Sequence, residues 1–103
     1  MAGDPEIEEL RAQIAEIDRT ILDAVNARLQ LIERLRGHKE TIGLPFLDTR
    51  QEHRIIRRLI AANQGPLSDR GVRELVGEIL ELTKRELRKR KDSPGPPNAV
   101  DDS

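Results

Sequence analysis

The chain has 103 residues, enough for one domain, and its 18 basic and 19 acidic side chains leave a formal net charge of −1. That balance argues against a general nucleic-acid binder, and the lack of any cysteine excludes disulfides, thiol catalysis and cysteine-ligated metal. Aromatic residues are 1% of the chain, with Phe46 the only ring, so a core must come from Leu, Ile and Val, which suits helix packing better than a sandwich.

The opening stretch MAGDPEIEEL is acidic and has no apolar h-region, so no secretory signal is expected. No apolar run approaches membrane-spanning length, and the expectation is a soluble cytoplasmic protein with no membrane partner. Asp4 is placed to cap a first helix and Pro5 suits its first turn. Ile7, Leu10, Ile14, Ile17, Ile21, Val25, Ile32 and Leu35 then recur in steps of three and four, or their sum, which predicts one long helix running to about Ile42. Gly37 weakens this helix without ending it, and Gly43-Leu44-Pro45 breaks it.

Two cations interrupt the apolar stripe. The same walk lands on Arg28, between Val25 and Ile32, and on Lys39, four residues after Leu35. Cations on an apolar face are costly unless an anion meets them, so an anion site in a helical core is one reading. In the other, both stems lie along the stripe edge and their heads reach water. Arg28 and Lys39 are eleven residues apart, three turns, so they point the same way and suit an anion with two separated negative groups. Arg11 lies about 25 Å from Arg28 along the axis and off that face, too far to share a small ligand within one chain. In an antiparallel twofold dimer it could reach the partner's site.

A second helix is expected from Asp48 or Thr49, with Thr49 and Glu52 spaced as a capping box and Ile55, Ile56, Leu59 and Ile60 as its apolar face. Asp48 and Glu52 can both face one pocket and accept from a hydroxyl, but carboxylates at a helix start also cap it and complement its dipole. Asn63-Gln64-Gly65-Pro66 ends this helix. A third begins at Ser68 or Asp69, carries Val72, Leu75, Val76, Ile79, Leu80 and Leu87, and stops near Arg90. Its basic end, from Lys84 to Lys91, complements the helix dipole and reads as a solvated face. Residues 1–91 therefore form the helical domain, and 92–103, rich in proline and polar residues, form a disordered tail. His38 and His53, the only histidines, are too few for a metal site.

The lengths do not balance. The first helix spans about 55 Å, against about 20 Å and about 33 Å for the others, so two short helices cannot cover one long stripe. A homodimer with intertwined long helices is the natural repair; a frayed first helix, or one bent at Gly37, is the other.

The run LRAQIAEIDRTILDAVNARLQLIERLRGHKETIGLPFLDTRQE resembles the N-terminal pattern of the all-helical chorismate mutases. The ordered set is Leu10-Arg11, Ile17-Asp18, Arg28 shortly after Asn26, Lys39 eleven residues on, the Gly43-Leu44-Pro45 turn, and Asp48 followed by Glu52. About residues 6–88 can be laid on it. The resemblance implies an all-α fold, a three-helix protomer with one very long helix in an intertwined homodimer of the chorismate mutase II type. It implies an isomerase that rearranges chorismate to prephenate without a cofactor or metal. In it, Arg28 and the partner's Arg11 hold the two substrate carboxylates and Lys39 donates to the ether oxygen. Asp48 and Glu52 read the ring hydroxyl, and Thr83 stands where the family usually has a serine near a carboxylate. Gln51 and Leu87 complete the substrate-contacting set, and both depart from the pattern. An arginine is expected at Gln51, with Arg50 one residue off, and a Gln or Glu at Leu87, with Glu86 and Arg88 beside it. These departures leave room for 4-amino-4-deoxychorismate or isochorismate as the substrate of a related mutase or lyase. A non-catalytic helical dimerisation module is the alternative of another class.

Overall fold

The computed structural model describes residues 3–92. It contains three helices, α1 (Pro5–Thr41), α2 (Thr49–Ala62) and α3 (Asp69–Asp92), and no strand among the described residues. The chain divides into two compact units, the first ending at Leu44 and the second beginning at Pro45.

The first unit is α1 with its two caps. Asp4 Oδ1 accepts from the amides of Glu6 and Ile7 at 2.8 and 3.4 Å, and Pro5, which has no amide hydrogen to leave orphaned, occupies the first turn. The helix passes through Gly37 unbroken, where a β-carbon would meet nothing within 4 Å. It ends in a Schellman motif. The Leu44 amide donates to the Lys39 carbonyl at 2.8 Å and the Gly43 amide to the Glu40 carbonyl at 3.2 Å. Gly43 sits at φ +78°, a conformation a β-carbon would strain, and Pro45 then forbids a further turn.

No residue of α1 is buried. Ile14, Ile17 and Ile21 are 57, 59 and 56% exposed, and Ile7, Leu10 and Leu22 are also exposed. The half-buried positions are confined to the C-terminal half: Val25, Arg28, Leu29, Ile32, Glu33, Arg36 and Lys39. Successive positions are three or one apart, and the pairs 25/29, 28/32, 29/33 and 32/36 are four apart, so they share one face.

The second unit is a helical hairpin. Asp48 caps α2 through Oδ1, which accepts from the Arg50 and Gln51 amides at 3.1 and 3.3 Å. The cap therefore falls on Asp48, and Thr49, expected to form a capping box with Glu52, is the first residue of the helix itself. The loop after α2 is tied by Asn63, whose side chain donates to the Leu67 carbonyl at 2.7 Å and accepts from the Gly65 amide at 3.2 Å. Ser68 opens α3, its hydroxyl accepting from the Gly71 amide at 3.0 Å. The Leu67 side chain lies over Gly71, so that a β-carbon there would come within 2.6 Å of Leu67 Cδ1 and turn that side chain aside.

The core of the hairpin is Val72, Val76 and Leu80 on α3, with Ile55, Ile56 and Ile60 of α2 packed against them. Each such side chain contributes about 1.5–3 kcal/mol when fully buried. Val72, Val76 and Leu80 are four apart, and Ile60 follows Ile56 by four residues and Ile55 by five, so each helix offers one apolar stripe to the other. α3 runs to Asp92, two residues beyond the expected stop. Asp92 therefore belongs to the helix, and the rest of the expected tail, 93–103, lies outside the described residues.

Candidate active site

The expected site residues fall on both units. Arg11, Arg28 and Lys39 lie on α1; Asp48, Gln51 and Glu52 lie at the start of α2; Thr83 and Leu87 lie on α3. On α1, Arg28 and Lys39 belong to the single half-buried face, as their spacing of three turns requires, while Arg11 is exposed. Both cations thus occupy the same face as Val25 and Ile32, and neither is a free surface charge.

In the second unit each carboxylate is already engaged. Asp48 spends Oδ1 on the α2 cap. Glu52 Oε2 accepts from Lys84 Nζ at 2.9 Å, and the same ammonium donates to Glu81 Oε2 at 3.2 Å. Glu52 stands in the first turn of α2 and Lys84 in the second half of α3, so the two helices run in opposite directions. The hydrogen bond to Glu52, then that to Glu81, holds the Lys84 ammonium above the ordinary lysine value of 10.5, against a smaller opposing effect of desolvation. Lys84 and Glu52 are each about one quarter exposed (26% and 25%), so solvent screens this pair less than the exposed pairs Arg70–Glu74 and Lys89–Glu86.

Glu52 also forms part of an open groove between α2 and α3, whose walls include His53, Ile56, Arg73, Glu78 and Glu81. No group of three or more acidic or histidine side chains among the described residues is arranged to hold a metal.

The remaining positions show what the departures from the pattern do. Gln51 Oε1 accepts from Arg54 Nη1 at 2.8 Å, so a guanidinium is present at this turn, supplied from three residues further on. Arg50, one residue before Gln51, is exposed. Thr83 is half-buried, and its hydroxyl donates to the Ile79 carbonyl at 2.7 Å within α3. Leu87 is 2% exposed, the most deeply buried side chain among the described residues. A leucine has no polar side-chain atom, so its side chain offers no hydrogen bond to a ligand. Its neighbours do not substitute for it: Glu86 pairs with Lys89 at 3.1 Å, and Arg88 is exposed.

Two residues here escape a reading of the sequence. Lys84 belongs by sequence to the basic end of α3, and only its place beside Thr83 hints at more. Arg54 reads as one more exposed cation of α2, although its i, i+3 spacing from Gln51 is visible in the chain.

A family model described as chorismate mutase type II matches residues 10–88, more than half of the chain. No curated protein is significantly similar to it. Two solved structures of chorismate mutase from Thermus thermophilus are similar in fold and sequence. Form I is 29% identical, with a TM-score of 0.74, and the match covers 76% of this chain and 98% of that one. Form II is 30% identical, with a TM-score of 0.76, covering 85% of this chain and 99% of that one. No helix of the described residues is long and apolar enough to cross a membrane.

Proposed function

Because the chain belongs to the chorismate mutase type II family, we propose that it rearranges chorismate to prephenate in a cationic pocket that two copies of the chain build together. The activity is that of the family. The observation that carries the shared pocket is on α1. Ile7, Leu10, Ile14, Ile17, Ile21 and Leu22 are between 47 and 60% exposed along a helix of 37 residues. A continuous apolar face of that length is uncommon on a monomer and marks an interaction surface. A second α1 laid antiparallel along it covers both faces at once and carries the partner's Arg11 toward Arg28 and Lys39.

The reaction asks little of the protein chemically. It is a unimolecular Claisen rearrangement in which one C–O bond breaks as one C–C bond forms, with no proton, electron or group transferred to the enzyme. Catalysis then consists of holding a flexible dicarboxylate in its compact conformer and placing cations where negative charge develops. Arg28 and the partner's Arg11 each bind a carboxylate, a task suited to the planar guanidinium fork. Lys39 donates to the ether oxygen as the C–O bond lengthens, and that contact strengthens in the transition state. Asp48 and Glu52 receive the ring hydroxyl through the oxygens left over from their contacts in the second unit. Thr83 serves a substrate carboxylate in this reading, rotating its hydroxyl away from the Ile79 carbonyl to donate to it.

Leu87 removes a second donor to the ether oxygen, so Lys39 bears that role alone in this reading. The test is the loss of chorismate absorbance with purified protein. Turnover of chorismate supports the proposal. Turnover of 4-amino-4-deoxychorismate or isochorismate in its place would move the substrate within the family. Inertness toward all three would favour the dimerisation module.

A further inference from the structure

The sequence leaves one specificity question open. Asp48 and Glu52 suit either a hydroxyl or an ammonium on the substrate ring. A bare carboxylate would favour the ammonium, because the two opposite charges attract each other in addition to the hydrogen bond. The side chains around Glu52 change that preference.

We propose that Lys84 is a positioning and specificity-determining residue, which holds Glu52 by one oxygen so that the other is offered to a neutral ring hydroxyl and not to an ammonium at the same carbon. The inference rests on the mutase reading of this site.

Glu52 has two oxygens and about four acceptor positions. Lys84 Nζ takes Oε2 at 2.9 Å and leaves Oε1. The Glu52 side chain is flexible at the start of a helix, and an ion pair to a second helix restricts it to few rotamers. An ammonium arriving at Oε1 would stand roughly 5 Å from Lys84 Nζ, close enough for like charges to repel appreciably in a partly solvated site. A hydroxyl meets no such penalty. Glu81 shares Lys84 at 3.2 Å, but its side chain is 60% exposed, so water screens its offset of the Lys84 charge. Of the other charged groups around the groove, Glu74 is held by Arg70 at 3.3 Å and Glu78 is exposed. His53 and Arg73 add no negative charge. The charge nearest to Glu52 is therefore that of Lys84.

The experiment measures kcat and KM for chorismate and for its 4-amino analogue, with the wild-type chain, Lys84→Met, Lys84→Arg, and Lys84→Met in a Glu52→Gln background. For Lys84→Met, KM for chorismate should rise about threefold to tenfold with kcat little changed, because the hydroxyl contact exists in both ground and transition states. The ratio of kcat/KM for the amino substrate to that for chorismate should rise about tenfold. Lys84→Arg should keep the wild-type ratio. In the Glu52→Gln background the Lys84→Met change should leave KM for chorismate within about twofold, because Lys84 acts on the hydroxyl only by holding the Glu52 carboxylate. A Lys84→Met protein that melts lower with an unchanged ratio would make the pair purely structural and overturn the inference. An equal rise in KM for chorismate in both backgrounds would mean that Lys84 does not position Glu52, and would also overturn the inference. A wild-type chain that turns over neither compound would remove the mutase reading and this inference with it. Turnover of chorismate with a ratio indifferent to Lys84 would remove this inference alone.

Discussion

Lys84 Nζ and Glu52 Oε2 stand 2.9 Å apart across two helices, with Glu81 Oε2 3.2 Å from the same ammonium. This ties the first turn of α2, where the hydroxyl-reading carboxylates are expected, to α3. The contact gives the hairpin a charged fastening beyond its apolar core of Val72, Val76 and Leu80.

The fastening depends on pH in a defined direction. The Lys84 ammonium is held above its ordinary value of 10.5, chiefly by the hydrogen bond it donates to Glu52. A group whose folded value is raised stabilises the fold fully below its unfolded value and loses that contribution as pH rises through the folded one. The difference in Tm between wild type and Lys84→Met should therefore be present at neutral pH and shrink above 10.5. A difference that persists unchanged at that alkaline end would assign it to packing of the lysine stem.

Asp48 has a structural task independent of any substrate. Asp48→Ala removes the oxygen that accepts from the Arg50 and Gln51 amides and should destabilise the fold by about 1 kcal/mol. Asp48→Ser keeps a capping oxygen and should recover most of that loss in a urea melt. If the serine variant regains stability but not chorismate turnover, the carboxylate serves the substrate as well as the helix.

Ile17 is 59% exposed in the single chain, so a charge there should be harmless to a monomer. In the proposed dimer it faces the partner. Ile17→Glu should shift sedimentation equilibrium at micromolar protein toward a single chain and abolish turnover together with it. A wild-type protein that sediments only as a species of 11.7 kDa would end the dimer proposal.

Lys39→Ala should lower kcat by about two to three orders of magnitude with the fold intact, since its contact belongs to the transition state. Circular dichroism and a thermal melt accompany the assay. A variant that melts lower yet turns over normally would assign Lys39 to the structure of α1.

Arg11→Ala and Arg28→Ala should each be nearly inactive, yet a co-refolded mixture should regain activity. In a mixed dimer one site receives both intact arginines and the other neither. Half of random pairings are mixed, so about a quarter of the wild-type rate should return if twofold symmetry holds. Mixed dimers with no recovery would place both arginines in a site within one chain, or in no site.

What the residues alone determined is local. Asp4 and Pro5 start α1, the three-and-four spacing carries it through Gly37, and Gly43-Leu44-Pro45 stops it at the turn expected. Asp48 and Ser68, each one of two adjacent starts that the sequence allows, open the other two helices. Each signal acts within about one helical turn, so it can be read from neighbours in the chain. The coaxial placement of Arg28 and Lys39 was legible for the same reason. Tertiary structure decided the rest. Glu52 and Lys84 are far apart in the chain and meet only because the isoleucines of α2 dock on Val72, Val76 and Leu80. The same packing makes an acidic pocket residue one half of an ion pair. Leu87 reads in sequence both as part of the apolar run of α3 and as a missing hydrogen-bond donor, and the structure makes it the most buried side chain described. Burial and ion pairing are properties of neighbours in space, which helical periodicity restricts to a face and only packing selects.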